Sequence, residues 1–132
     1  MKATELRIGD YFEWFASEVV RITFIAESYV NAEDSRGVEQ IQVRLTDLRP
    51  LPLTEDILEK NGWKENDEIW TTPYPFGQIA VEFFKWDTEK VAMVSVVSGS
   101  MSSDTNTLRQ IRYVHELQHL LWALGVEKEV EV

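Results

Sequence analysis

Cysteine is absent from the 132-residue chain, which removes disulfides, thiolate metal sites and cysteine nucleophiles together. Long apolar runs are missing as well. No hydrophobic stretch approaches the roughly 20 residues that cross a bilayer, and Met1-Lys2-Ala3-Thr4-Glu5 lacks the apolar core of a signal peptide. These two absences predict a cytoplasmic protein with no membrane attachment. Positive charge is scarce: 13 Lys and Arg face 23 Asp and Glu, a formal charge of −10. Residues 1–53 account for −3 of it and residues 54–132 for −7. Binding to nucleic acid rests on cations that displace phosphate counterions, so a generic nucleic-acid binder is disfavoured. The one arginine set that would serve it, from the first half of the chain, is Arg21, Arg36, Arg44 and Arg49. An acidic balance favours solubility first and basic partners second.

Hydrophobic residues make up 44% of the sequence and include five tryptophans, enough to fill the core of one ordinary domain or of two very small units, and too many for a disordered chain. The first fifty residues alternate like strands. Tyr11 to Phe15 follows the turn signal Gly9-Asp10, and Val19 to Ile25 is rich in β-branched residues. Ser28 to Ala32 leads into the turn Glu33 to Gly37. Val38 to Leu45 places Ile41, Val43 and Leu45 on one predicted face and Gln40, Gln42 and Arg44 on the other. Four or five short strands in this space predict an SH3-like small β-barrel or a curled sheet, ended by Pro50 and Pro52.

Residues 51–132 form the second predicted unit, in a chain whose class is α+β. Thr54 is a good N-cap, Glu55 and Asp56 suit a helix start, and Asn61-Gly62 supplies a left-handed stop. Leu53 and Trp63 flank this short linking helix and are placed to fold onto Leu58. An antiparallel hairpin region follows, with strands at Ile69 to Thr72, Ile79 to Trp86 and Val91 to Val97 and a turn over Asp87 to Lys90. Pro73 to Gly77 reads as a stiff exposed loop, where Tyr74 and Phe76 are the candidate binding residues for a protein partner or for self-association. Ser98 to Asp104 reads as a small-residue loop. Thr107 and Gln110 match a capping box, and Ile111, Val114, Leu117, Leu121 and Leu124 recur at helical spacing before Gly125. They predict a C-terminal helix packed on the sheet, followed by a tail that is a short edge strand or is frayed.

That helix carries His115-Glu116-Leu117-Gln118-His119. Two histidines four apart on one side of a helix, with a glutamate after the first, are the ligands and the base of a zinc hydrolase. At 100° per residue the two rings lie about 40° apart, on the flank away from the apolar stripe. The supporting residues are missing. A catalytic zinc needs a third protein ligand, and His115 and His119 are the only histidines in the chain. Trp122 stands where one zinc-protease class wants glycine, and the only acids downstream are Glu127, Glu129 and Glu131, with Glu82 as an upstream candidate. Zinc bound by His115 and His119, with Glu116 catalytic, is therefore the alternative reading. Ser98, Ser100, Ser102 and Ser103 with Asp104 and His115 supply the residue types of a serine hydrolase without the Gly-x-Ser-x-Gly elbow. The same loop holds too little glycine and no lysine for a phosphate cradle.

Three stretches of the chain, Leu6-Arg7-Ile8-Gly9-Asp10, Leu51 to Leu58 followed by Gly62-Trp63, and Tyr113-Val114-His115-Glu116-Leu117-Gln118-His119-Leu120, resemble a family of small uncharacterised proteins encoded by prophages and other mobile elements of Bacteroidetes. Its members end in a Tyr-Val-His-x-Leu-Gln-x-Leu helix, with Asn common at the position of His119 and Gln frequent at that of Glu116. The resemblance implies a shared set of Tyr113, His115 and Gln118, for which the bland role is hydrogen bonding that fixes the fold. No activity is established for the family, so it supplies no catalytic residues. The expectation is a non-enzymatic accessory or interaction protein that needs no cofactor.

Overall fold

Two antiparallel sheets are visible in the computed structural model, which describes residues 2–15, 18–74, 77–86, 89–98, 105–126 and 129–132. By contacts the chain separates into two compact units. One comprises Met1–Pro52 with Tyr113–His119, the other Leu53–Arg112 with Leu120–Val132. The class is α+β, and no described helix is long and apolar enough to cross a membrane.

The first unit is a meander of β1 (Tyr11–Trp14), β2 (Glu18–Ile25), β3 (Tyr29–Glu33) and β4 (Glu39–Arg44), with β5 (Arg49–Pro50) returning to pair with β1 after a 3-10 turn at Leu45–Asp47. The sheet order is β4-β3-β2-β1-β5, and no ladder joins β4 to β5 among the described residues. Pro50 ends the sheet as its sequence suggests, but from inside the last strand. It pairs opposite Phe12 in a two-residue edge strand, where a missing N–H is tolerated. Phe12, Val20, Ile22, Val30, Ala32, Val43, Leu45 and Leu48 form the core with Leu6. Phe12 is fully buried, which stabilises the unit by about 1.5–3 kcal/mol.

Two β-bulges set which side chains face that core. Ile22 pairs with Ala32 but Phe24 pairs with Asn31, so Thr23 is an extra residue in β2. The parity reverses there: Val20 and Ile22 point inward, whereas Phe24 is 46% exposed. In β4 the ladder jumps from Ala32–Gln40 to Val30–Val43. Gln42 sits at φ 54, and its N–H donates to Asn31 Oδ1 at 3.0 Å. Ile41, expected on the inner face with Val43 and Leu45, is therefore turned out and 70% exposed. A single inserted residue exchanges the two faces of a strand.

The second unit holds α1 (Glu55–Lys60), β6 (Lys64–Asn66), β7 (Ile69–Tyr74), β8 (Gly77–Trp86), β9 (Glu89–Ser98) and β10 (Thr105–Ile111), in the sheet order β10-β9-β8-β7-β6. The residues that end α1 do so as the sequence indicates. Thr54 accepts from Ile57 N, Trp63 N–H donates to Leu58 O and Gly62 N–H to Glu59 O, with Gly62 at φ 81. These two bonds are the Schellman pattern, and Leu58 and Trp63 are both buried. Pro73 and Tyr74 extend β7 rather than forming a loop. β6 lacks apolar alternation and is fixed instead by the turn at Asp67 and Glu68, both at positive φ, as a tight two-residue hairpin demands.

Thr105–Ile111 is the clearest departure from expectation. The segment is a strand paired with β9 from Thr105–Val97 to Ile111–Ala92, so Thr107 and Gln110 cap no helix. The β-branched residues of the segment and the available edge of β9 outweigh a four-residue capping pattern. The helix α2 begins later, at Val114, and runs to Ala123. Val114, Leu117 and Leu121 are buried along it. It stops at Gly125 (φ 79), with Gly125 N–H on Trp122 O and Val126 N–H on Leu121 O.

The hairpin between β3 and β4 is organised by Asp34, whose buried carboxylate accepts from Arg36 N, Val38 N, the Arg36 guanidinium and Gln40 Nε2. Burial works to raise its pKa, but these four bonds together lower it from 3.8 to about 2. Because the folded value lies below the unfolded one, its stabilisation is complete above about pH 4 and is lost as pH falls toward 2. Thermal unfolding from pH 5 to pH 2.5 is expected to show a steeper loss of stability in the natural protein than in Asp34→Asn; equal slopes would contradict this assignment.

Candidate functional site

Four residues ahead of β1 fold into a turn that receives the start of α2. Arg7 to Asp10 close it: Asp10 N–H donates to Arg7 O at 3.1 Å, and Gly9 occupies φ 98, where a side chain is strained. Asp10 turns its carboxylate back to accept from Arg7 N at 2.9 Å. Ile22 anchors the turn to β2 by accepting from Gly9 N and donating to Asp10 O.

α2 meets this turn with two side chains, Gln118 and His119. Gln118 Nε2 donates to Gly9 O at 2.8 Å, and its Oε1 accepts from Tyr11 N at 3.1 Å. One carboxamide thus satisfies a main-chain donor and a main-chain acceptor, as a neighbouring strand would. His119 Nε2 lies 2.7 Å from Asp10 Oδ2, in a bond whose carboxylate side chain is only 3% exposed. His119 is accordingly half-buried and engaged.

His115 works differently. Its ring stacks on Phe12 with centroids 4.8 Å apart and on Tyr113 at 5.9 Å, and meets His119 edge-on at 5.7 Å. Its Nδ1 is buried without a hydrogen-bond partner among the described residues. Burial pushes its pKa below 6.5, against the opposing pull of the Asp10 and Glu116 carboxylates, with His119 adding to the depression and Glu5 opposing it. The neutral imidazole is an aromatic plate between Phe12 and Tyr113. Glu116 closes the helix start, its Oε1 accepting from Tyr113 N at 3.2 Å, which is the back half of a capping box. Main-chain contacts complete the anchorage: Val114 N–H donates to Leu51 O at 2.8 Å, and Pro52 and Tyr113 form an isolated bridge.

The zinc reading draws its donors from this same cluster. Ligation through His119 Nε2 would have to displace Asp10, and activation of water by Glu116 would have to release Tyr113 N–H. Among the described residues no group of three His, Asp or Glu side chains converges to hold a metal. Glu127 lies outside the described residues, as do Phe76 and the serine loop from residue 99 through Asp104. Tyr74 ends β7 and is half-buried. Of the arginine set, Arg36 pairs with Asp34 and Arg44 with Asp47.

No family model, curated protein or solved structure matches this chain.

Sequence reasoning missed Asp10 and Gly9 as partners of the helix. The signal was present, since Gly9-Asp10 is the one glycine-acid turn before the first strand, but the partner lies more than 100 residues away. It also missed the outward aim of Phe24 and Ile41, which no alternation pattern contains. Because the folded pKa of His115 is depressed, the unfolded chain takes up more protons below pH 6.5, and stability falls as pH drops through that value. The unfolding midpoint is expected to decline between pH 7.5 and 5.5, and His115→Phe, which keeps the stack, is expected to flatten that decline. An unchanged slope in the variant would overturn the assignment.

Proposed function

We propose that the chain is a non-enzymatic protein-interaction module, an accessory protein of a mobile element working in the cytoplasm, whose contact surface is the outer face of its first sheet. The observation that carries this reading is the pair of bulges at Thr23 and Gln42. Each turns an apolar side chain, Phe24 or Ile41, out of the core and toward solvent. Bulges that re-aim side chains are built features of a sheet, and apolar residues held outward mark contact surfaces. Phe24, Asn31 and the Ile41–Gln42 bulge lie in one row across β2, β3 and β4, and the Tyr29 ring lies 6.2 Å from that of Phe24.

Four further features support the reading. The polar side chains of the hydrolase-like string are engaged within the fold: Gln118 and His119 with the turn before β1, Glu116 with the start of α2. The strand order, with a 3-10 turn ahead of a short last strand that returns to β1, supports the reading of the first sheet as SH3-like, a fold that hosts many functions, binding among them. The three stretches that resemble the prophage-encoded family also converge in part, since Gly9 and Leu51 both bond to the beginning of α2. The acidic balance of the chain favours a partner with a basic contact surface.

The test is a paired measurement on the natural protein and a Phe24→Ser/Ile41→Ser variant. Both side chains are exposed, so stability is expected to change by no more than about 0.5 kcal/mol per site. Specific capture of a host protein, or self-association in sedimentation, is expected in the natural protein and is expected to weaken at least about tenfold in the variant, the equivalent of 1.4 kcal/mol. Binding that is unaffected by the double substitution would contradict the proposed surface.

A further inference from the structure

The last residues of the second unit are held in a manner that resembles peptide recognition. Residues 129–132 form neither helix nor strand. Asn61, the C-cap of α1 and itself buried, turns its carboxamide onto the main chain of Glu131: Oδ1 accepts from Glu131 N at 2.7 Å, and Nδ2 donates to Glu131 O at 2.7 Å. Lys60 Nζ donates to Val132 O at 2.7 Å. Val130, one residue before the pair, is buried to 6% exposure.

A carboxamide that bonds both the N–H and the C=O of one residue copies half of a β-ladder without committing a strand edge. It reads main chain and ignores the side chain of the residue it holds. Specificity is left to the neighbour whose side chain is buried. Main-chain bonds for affinity with a pocket for an alternate side chain are the logic of strand-type peptide recognition. Asn61 is also well supported for this task, because the same Nδ2 donates to Ile57 O within α1, which fixes the orientation of the amide.

We propose that the C-terminal end of α1 is a peptide-docking site, in which Asn61 and Lys60 grip the main chain while the side chain of Val130 is buried beside them, and that residues 129–132 are its occupant in cis. The ligand class is an extended peptide with a valine-sized β-branched residue immediately before the residue gripped by Asn61. An external peptide of that class competes with the chain's own segment, whose occupancy sets the apparent affinity. If the segment fills the site nine-tenths of the time, an external ligand binds about tenfold more weakly than to the open site. The proposal is independent of the surface on the first sheet.

Glu131→Pro tests it on the full chain. Proline has no N–H for Asn61 Oδ1, so the substitution loosens the occupant and leaves every receptor residue in place. Fluorescence anisotropy would follow a labelled, end-capped Glu-Val-Glu-Val peptide with the natural protein and with the variant. The expected result is binding at least about tenfold tighter to Glu131→Pro than to the natural chain. A Glu-Val-Pro-Val peptide, unable to donate at the third residue, is expected to bind neither. That ligand-side control holds even if Asn61→Ala, which also removes the bond to Ile57, fails to fold. Equal affinity of both proteins for Glu-Val-Glu-Val, equal binding of the two peptides, or no binding to the variant at millimolar peptide would each overturn the proposal.

Discussion

The side-chain amide of Gln118 between Gly9 O and Tyr11 N is the contact on which the first unit depends. β2 takes Gly9 N and Asp10 O, which leaves Gly9 O and Tyr11 N to another partner, and a main-chain polar group left unpaired away from water costs roughly 1–3 kcal/mol. Gln118 supplies both partners from one residue, and the adjoining His119 adds the Asp10 carboxylate. The consequence is topological. Residues 113–119 cluster with 1–52 despite their distance in sequence, and Phe12, the first core residue of β1, is covered by the ring of His115.

This arrangement explains why a string that reads as catalytic chemistry serves the fold. A helix that presents His, Gln and His on one flank beside a glycine turn has donors and acceptors at the spacing of exposed main-chain groups. The same flank spacing suits two zinc ligands, because both tasks need side chains one helical turn apart. What separates them is the partner: a metal needs a converging set of three donors, whereas Gly9 and Tyr11 offer their main-chain groups to Gln118 and Asp10 offers its carboxylate to His119. The depressed pKa of His115 fits the same picture, since a neutral ring stacks between aromatics without a buried charge to solvate.

Much of this was legible in the sequence, and the failures have identifiable physics. The caps of α1 and the stop of α2 follow from local residues, Thr54, Asn61-Gly62 and Gly125, because capping is a short-range interaction. The hairpin of β8 and β9 follows from alternation, but of the expected turn Glu89 and Lys90 belong to β9, and Asp87 and Thr88 lie outside the described residues. Thr107 misled because its capping pattern is local too, while the competing pairing with β9 is not visible until the hairpin is formed. Ile41 misled because the bulge at Gln42 is stabilised by Asn31, a residue on the neighbouring strand. Asp10 stayed hidden for the same reason at longer range. Residues 129–132 are neither the edge strand that their sequence allows nor frayed; what holds them is Asn61, which the sequence announces only as a helix cap.

The coupling between Asp10 and His119 tests the structural account most directly. Asp10→Asn, His119→Gln and the double variant, compared by denaturant unfolding, form a cycle that isolates the contact from the separate effects of each residue. The account expects the two substitutions to be non-additive by at least about 0.5 kcal/mol, with each single variant less stable than the natural protein. Strict additivity, or single variants as stable as the natural chain, would contradict it and return His119 to the status of a residue available for other chemistry.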